Sequence, residues 1–89
     1  MEADAGAAEA HELWGDLLEA KGDLDGAARE LQAAVRLRPD FWRAQYELGA
    51  MLAEKGDTPG ALEHLKIAAQ GADGEAKAAA LQLMQRLGR

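Results

Sequence analysis

Acidic side chains are the residues of this chain whose spacing most invites a chemical reading. Glu9, Glu12, Asp16 and Glu19 follow one another at intervals of three, four and three residues, which places all four on one side of a helix. Carboxylate pairs such as Glu12 and Asp16 can in principle do acid–base work. On a solvated helix with no pocket residues around them, these acids read instead as surface. Other reactive groups are scarce. The chain has no serine and no cysteine, and its one threonine, Thr58, sits where a helix cap belongs, so a nucleophilic triad cannot be assembled. His11 and His64 fall in different helices with no second ligand at metal-binding spacing. No phosphate-cradling glycine motif is present. The expectation is therefore a protein without catalytic, cofactor-binding or metal-ligating residues, without a small-molecule substrate, and not an enzyme.

Composition narrows what can position these groups. The 89 residues suffice for one small domain, whose single core is marginal in size. Val35, Thr58 and Ile67 are the only β-branched residues, while alanine and leucine dominate the apolar set. Strands draw on β-branched and aromatic side chains and helices on Ala, Leu, Glu, Lys, Gln and Arg, so the expected class is all-α. The net charge of −6 disfavours nucleic acid, which selects clustered Lys and Arg. Residues 1–25 carry eight acids, including Glu2 and Asp4, against Lys21 alone; residues 75–89 carry Glu75 against Lys77, Arg86 and Arg89. The absence of cysteine rules out a disulfide framework. No apolar run is long enough to span a membrane, so membrane insertion is not expected. The acidic start lacks the pattern of a signal peptide. These features read as cytoplasmic, or as secreted should the chain be cut from a longer precursor.

The chain superposes on itself when residues 6–39 are set against 40–73. Lys21-Gly22-Asp23 aligns with Lys55-Gly56-Asp57, Gly26-Ala27 with Gly60-Ala61, and Gly15, Leu18, Leu31 and Ala34 with Gly49, Leu52, Leu65 and Ala68. With Ala10 and Ala44, ten of the aligned pairs are identical, and the glycines, lysines and aspartates stay in register. Each unit reads as two helices, over about 7–21 and 24–37, then 41–55 and 59–70. Gly22 and Gly56 fall at helix ends, Asp23, and Asp57 or Thr58, at N-caps, and Pro59 in a first turn. Apolar residues recur at helical spacing: Leu13 and Leu17 in the first helix, then Leu24, Leu31 and Val35. Glycine inside a helix costs roughly 1 kcal/mol against alanine. Its recurrence at Gly15 and Gly49 predicts close approach of a neighbouring helix.

On these residues the chain resembles the tetratricopeptide repeat family, whose helix–turn–helix unit has the same period as this repeat. Leu48-Gly49 matches the family's Leu-Gly pair, and Trp14-Gly15 matches it with an aromatic substituted. Ala27 and Ala61 occupy its small-residue slot, Leu31 and Leu65 its phenylalanine slot, Ala34 and Ala68 its next alanine, and Pro39 its closing proline. Departures are His11 and Gln45 in the tryptophan slot and Asp73 in place of the second proline. The implied architecture is a single α-solenoid domain over 1–89, with repeats at 6–39 and 40–73 and a capping helix over 74–88, five helices in total. In that last helix Ala76, Ala79, Ala80, Leu83, Met84 and Leu87 form one stripe, with Leu81 off it. The first helix begins with short alanines, so its outer face is expected to be either nearly flat and solvated or covered by something absent from this chain. Trp14 is expected in the core, and Phe41 and Trp42 at the junction between repeats.

The resemblance also implies a function and its location. Family members bind other proteins through a concave groove lined by the first helix of each repeat. Carried over, that places Glu9, Glu12, Asp16 and Glu19 beside Arg43, Tyr46, Ala50 and Ala53, an acidic wall next to an apolar and aromatic strip. The implied role is a bacterial protein–protein interaction or scaffold module. Its expected partner is a basic or mixed basic–apolar protein or peptide, taken up by the groove or by an open end. An alternative is a structural subunit assembling head to tail with further copies of itself, through Leu81, Leu83, Met84 and Leu87.

Overall fold

The computed structural model describes residues 5–88; Glu2, Asp4 and Arg89, which contribute to the charge asymmetry, lie outside the described residues. The described chain forms five helices: α1 (Ala5–Ala20), α2 (Leu24–Leu37), α3 (Trp42–Glu54), α4 (Thr58–Ala69) and α5 (Gly74–Leu87). Local chemistry sets the breaks. Gly22 and Gly56 adopt φ of 86° and 89°, the left-handed region that side chains disfavour. The following N–H groups close the ends of α1 and α3, from Asp23 to the Leu18 carbonyl at 2.9 Å and from Asp57 to the Leu52 carbonyl at 2.8 Å. The same two aspartates then cap the next helices, accepting from the Gly26 and Gly60 N–H at 2.9 and 3.0 Å. Asp73 caps α5 in the same way, accepting from Glu75 and Ala76. A glycine–aspartate pair thus ends one helix and starts the next, once in each repeat.

Each hairpin packs tightly, and α1, α3 and α5 form one layer against α2 and α4. The principal extents of 43 × 29 × 18 Å fit two layers of helices. Glycine permits the close approach within a hairpin: a methyl group on Gly49 would lie 2.8 Å from the Leu65 side chain and 3.1 Å from the Ala61 carbonyl. On Gly15 it would lie 3.0 Å from Leu31 Cγ and 3.3 Å from the Ala27 carbonyl. The expectation drawn from the repeated glycines therefore holds at both sites. A polar bridge repeats with them, from His11 Nδ1 to Glu30 Oε1 at 2.7 Å and from His64 Nδ1 to Gln45 Oε1 at 2.8 Å. Burial lowers the pKa of His64.

Two clusters fill the interior. Ala27, Ala28, Leu31, Ala34 and Val35 of α2 meet Phe41, Ala44, Leu48 and Met51 at the junction of the hairpins. Ala61, Leu65 and Ala68 of α4 meet Ala80, Leu83, Met84 and Leu87 of α5. Phe41 is buried as expected, with the Arg38 guanidinium 4.4 Å from its ring centre. Trp42 is half-buried over Gly71 in the α4–α5 turn.

Helix α1 departs from expectation. Trp14 is 55% exposed, not core, and Leu13 and Leu17 are also more than half exposed. The helix instead turns Ala8, Glu12 and Gly15 inward. Its outer face is consequently not a flat run of alanines; it presents three large apolar side chains.

Candidate functional site

The groove residues read from the sequence fall into repeat-related pairs. Glu9, Glu12, Asp16 and Glu19 of the first repeat correspond to Arg43, Tyr46, Ala50 and Ala53 of the second. On α3 none of those four is fully buried, and Tyr46 and Ala53 pack partly against the cluster of α4 and α5. Tyr46, Ala50 and Ala53 meet Glu54 and, from α5, Leu83 and Arg86 around an open cleft of about 310 Å³. The apolar strip is thus present, with one cation and one anion at its edge.

The acids of α1 do not form a continuous open wall. Glu9 turns to Arg38, 3.7 Å away at the α2–α3 junction. Glu12 is fully buried. Both of its oxygens accept from Arg43, at 2.9 Å from Nε and 2.9 Å from Nη2, a bidentate clamp that ties α1 to α3 across 31 residues. Asp16 is half-buried beside it, its pKa raised by burial and then by the Glu12 charge. Glu19 stays exposed. Sequence spacing placed the four on one helix side; it held no information about which of them another helix would cover.

Glu47 completes this cluster and was not among the residues read from the sequence. Carboxylate oxygens of Glu12, Asp16 and Glu47 lie within 4.8 Å of one another. Burial, a hydrogen bond with Glu12 and the charges of Glu12 and Asp16 push the Glu47 pKa up to about 9. As a carboxylate, its buried Oε1 has no donor. Protonated, Glu47 can donate to Glu12, so the neutral acid is the form that satisfies the site at pH 7. Its place one helical turn after Arg43 was the available signal. With Arg43 holding both oxygens of Glu12, the cluster already contains its own cation and serves as a seam between α1 and α3.

The residues expected as an assembly face separate. Leu83, Met84 and Leu87 are partly buried against the α4 cluster, with Leu83 also edging the open cleft; Leu81 alone of the four is exposed. The large apolar exposure of the described chain lies at the opposite end, on α1.

A family model described as a tetratricopeptide repeat matches residues 12–76. No curated protein matches the chain. Among the described residues, no helix is long and apolar enough to cross a membrane.

Proposed function

Because the chain belongs to the tetratricopeptide repeat family, we propose that it is an interaction and scaffold module that takes up a mixed basic–apolar peptide in the groove of α1, α3 and α5. Protein–protein interaction is the general role of these repeats; the groove and the peptide chemistry are the specific reading. One observation carries it. Tyr46, Ala50 and Ala53 lie with Leu83 along an open strip edged by Glu54 and Arg86, and Asp16 and Glu19 are the groove acids of α1 that no cation among the described residues pairs with. An apolar side chain of the peptide would rest on that strip and a cationic one would approach Asp16, Glu19 or Glu54. A cleft this shallow suits a short extended segment rather than a small molecule, which needs an enclosed pocket to bury most of its surface.

Binding of dye-labelled peptides that pair leucine or phenylalanine with arginine tests this reading by fluorescence anisotropy. Ala50→Arg fills the strip and reverses its charge preference without touching the core, and should weaken binding at least about tenfold. Equal affinity for wild type and Ala50→Arg would remove the groove as the site. Head-to-tail self-association is the weaker alternative, since most of the apolar stripe of α5 is already packed against α4. Sedimentation across a concentration series decides it, with open-ended growth that weakens in salt as the outcome in its favour.

A further inference from the structure

We propose that the outer face of α1 and α2, centred on Trp14 and Leu17, is a second docking surface whose occupant is an amphipathic helix of the α2 type with basic flanks. The argument starts from the internal repeat. Ala10, Trp14 and Leu17 correspond, one repeat on, to Ala44, Leu48 and Met51. Those three are 0, 2 and 3% exposed, because the apolar stripe of α2 lies on them at the hairpin junction. In α1 the same positions are open, and Trp14 and Leu17 are each 55% exposed. The hairpin beneath is otherwise equivalent in the two repeats, down to the His11–Glu30 and Gln45–His64 bridges. The open face therefore continues an established interface by one period, and that interface specifies its own complement.

That complement is visible on α2. Ala28, Leu31 and Val35 provide small and branched aliphatic side chains at helical spacing, and they share one buried cluster with Ala44, Leu48 and Met51. A helix with such a stripe fits Ala10, Trp14 and Leu17, where the larger indole gives more area to cover.

Charge selects among the helices that carry such a stripe. Residues 5–39 hold seven acids against four cations; with Glu12 and Asp25 paired to Arg43 and Lys55 of the second repeat, five acids (Glu9, Asp16, Glu19, Asp23, Glu30) remain against Lys21, Arg29, Arg36 and Arg38, a small acidic excess. A basic partner is steered toward this end and an acidic one repelled. The same balance disfavours a second copy, which would set two acidic repeats face to face. A second copy also has no free α2-type stripe, since its own Ala28, Leu31 and Val35 are already buried.

The experiment uses the intact protein and a dye-labelled synthetic peptide with the sequence of residues 22–39 carrying Asp25→Lys and Glu30→Lys. Binding is read by anisotropy, and sedimentation of the protein alone is run in parallel. The expected result is saturable binding that Trp14→Glu or Leu17→Glu weakens at least about tenfold, the scale for loss of an interface anchor. Ala50→Arg, in the groove, should leave this binding unchanged. Both α1 positions are exposed, so circular dichroism should show an unaltered fold. Binding that survives Trp14→Glu and Leu17→Glu, or no binding in the millimolar range, would overturn the proposal. So would a dimer of the protein alone that either substitution abolishes, because the face would then belong to a second copy.

Discussion

Replacing Glu47 by glutamine isolates the seam between α1 and α3. In the folded chain the Glu47 pKa stands at about 9, against 4.5 for the free group. The folded state therefore holds a proton that the unfolded state releases, and stability must fall as pH rises from 4.5 to 9. At pH 7 the unscreened cost of keeping that proton is about 1.36 × 2.5, roughly 3 kcal/mol. Glu47 is only half-buried and the Arg43 side chain is 57% exposed, so solvent screening reduces the figure to about 1 kcal/mol. Glu47→Gln removes the titration while its amide N–H can still donate to Glu12. The variant should gain about 1 kcal/mol at pH 7, or roughly 4–8 °C in Tm for a domain of this size. The gain should vanish near pH 4.5, where wild-type Glu47 is protonated folded and half-protonated unfolded, and should level off above pH 9. Thermal unfolding of both proteins from pH 4 to 9, followed by circular dichroism, measures the difference directly; contributions from other carboxylates cancel. A gap independent of pH, or a variant less stable than wild type at pH 8, would refute the reasoning. It would mean that Glu47 is ionised and held by Arg43.

Three further outcomes follow from the packing. Arg43→Ala strands the buried Glu12 and should cost about 2 kcal/mol, less than for a fully buried pair because Arg43 reaches solvent. Adding Glu12→Gln should recover part of that loss in urea unfolding, which a purely steric role for Arg43 would not allow. Gly49→Ala should destabilise by about 1 kcal/mol net. Crowding of Leu65 and the fixed Ala61 carbonyl outweighs the gain in helix propensity, and Gly15→Ala, with slightly more room, should cost less. Trp14→Ala should change folding stability by less than about 0.5 kcal/mol, since the side chain is more than half exposed; a loss of the size seen for core aromatics would return Trp14 to the interior.

Much of this architecture was legible in the residues. Glycine followed by aspartate at 22–23 and 56–57 dictates a helix stop and a helix start from backbone sterics and a single carboxylate, so four of the helix ends follow locally. The recurrence of Gly15 and Gly49 opposite Leu31 and Leu65 announces close hairpins, because only glycine leaves room for that approach. The stripe of α5 likewise proved to be its inward face, with Leu81 outside it.

What pattern could not decide is which surfaces meet a partner. Trp14 occupies an interface position in the repeat, and its counterpart Leu48 is buried there, yet Trp14 is exposed because no helix among the described residues lies on it. Periodicity encodes what kind of neighbour a face suits; only the assembled chain decides whether that neighbour is present. Glu12 reads as surface by composition and is fully buried, because Arg43, 31 residues away, closes over it. Glu47 is an ordinary acid in the sequence and a retained proton in the fold, through two carboxylates that arrive from another helix. Burial and charge coupling arise between elements distant along the chain, so the sequence alone determined the helices and their register. The tertiary structure determined which of their faces are seams and which are open.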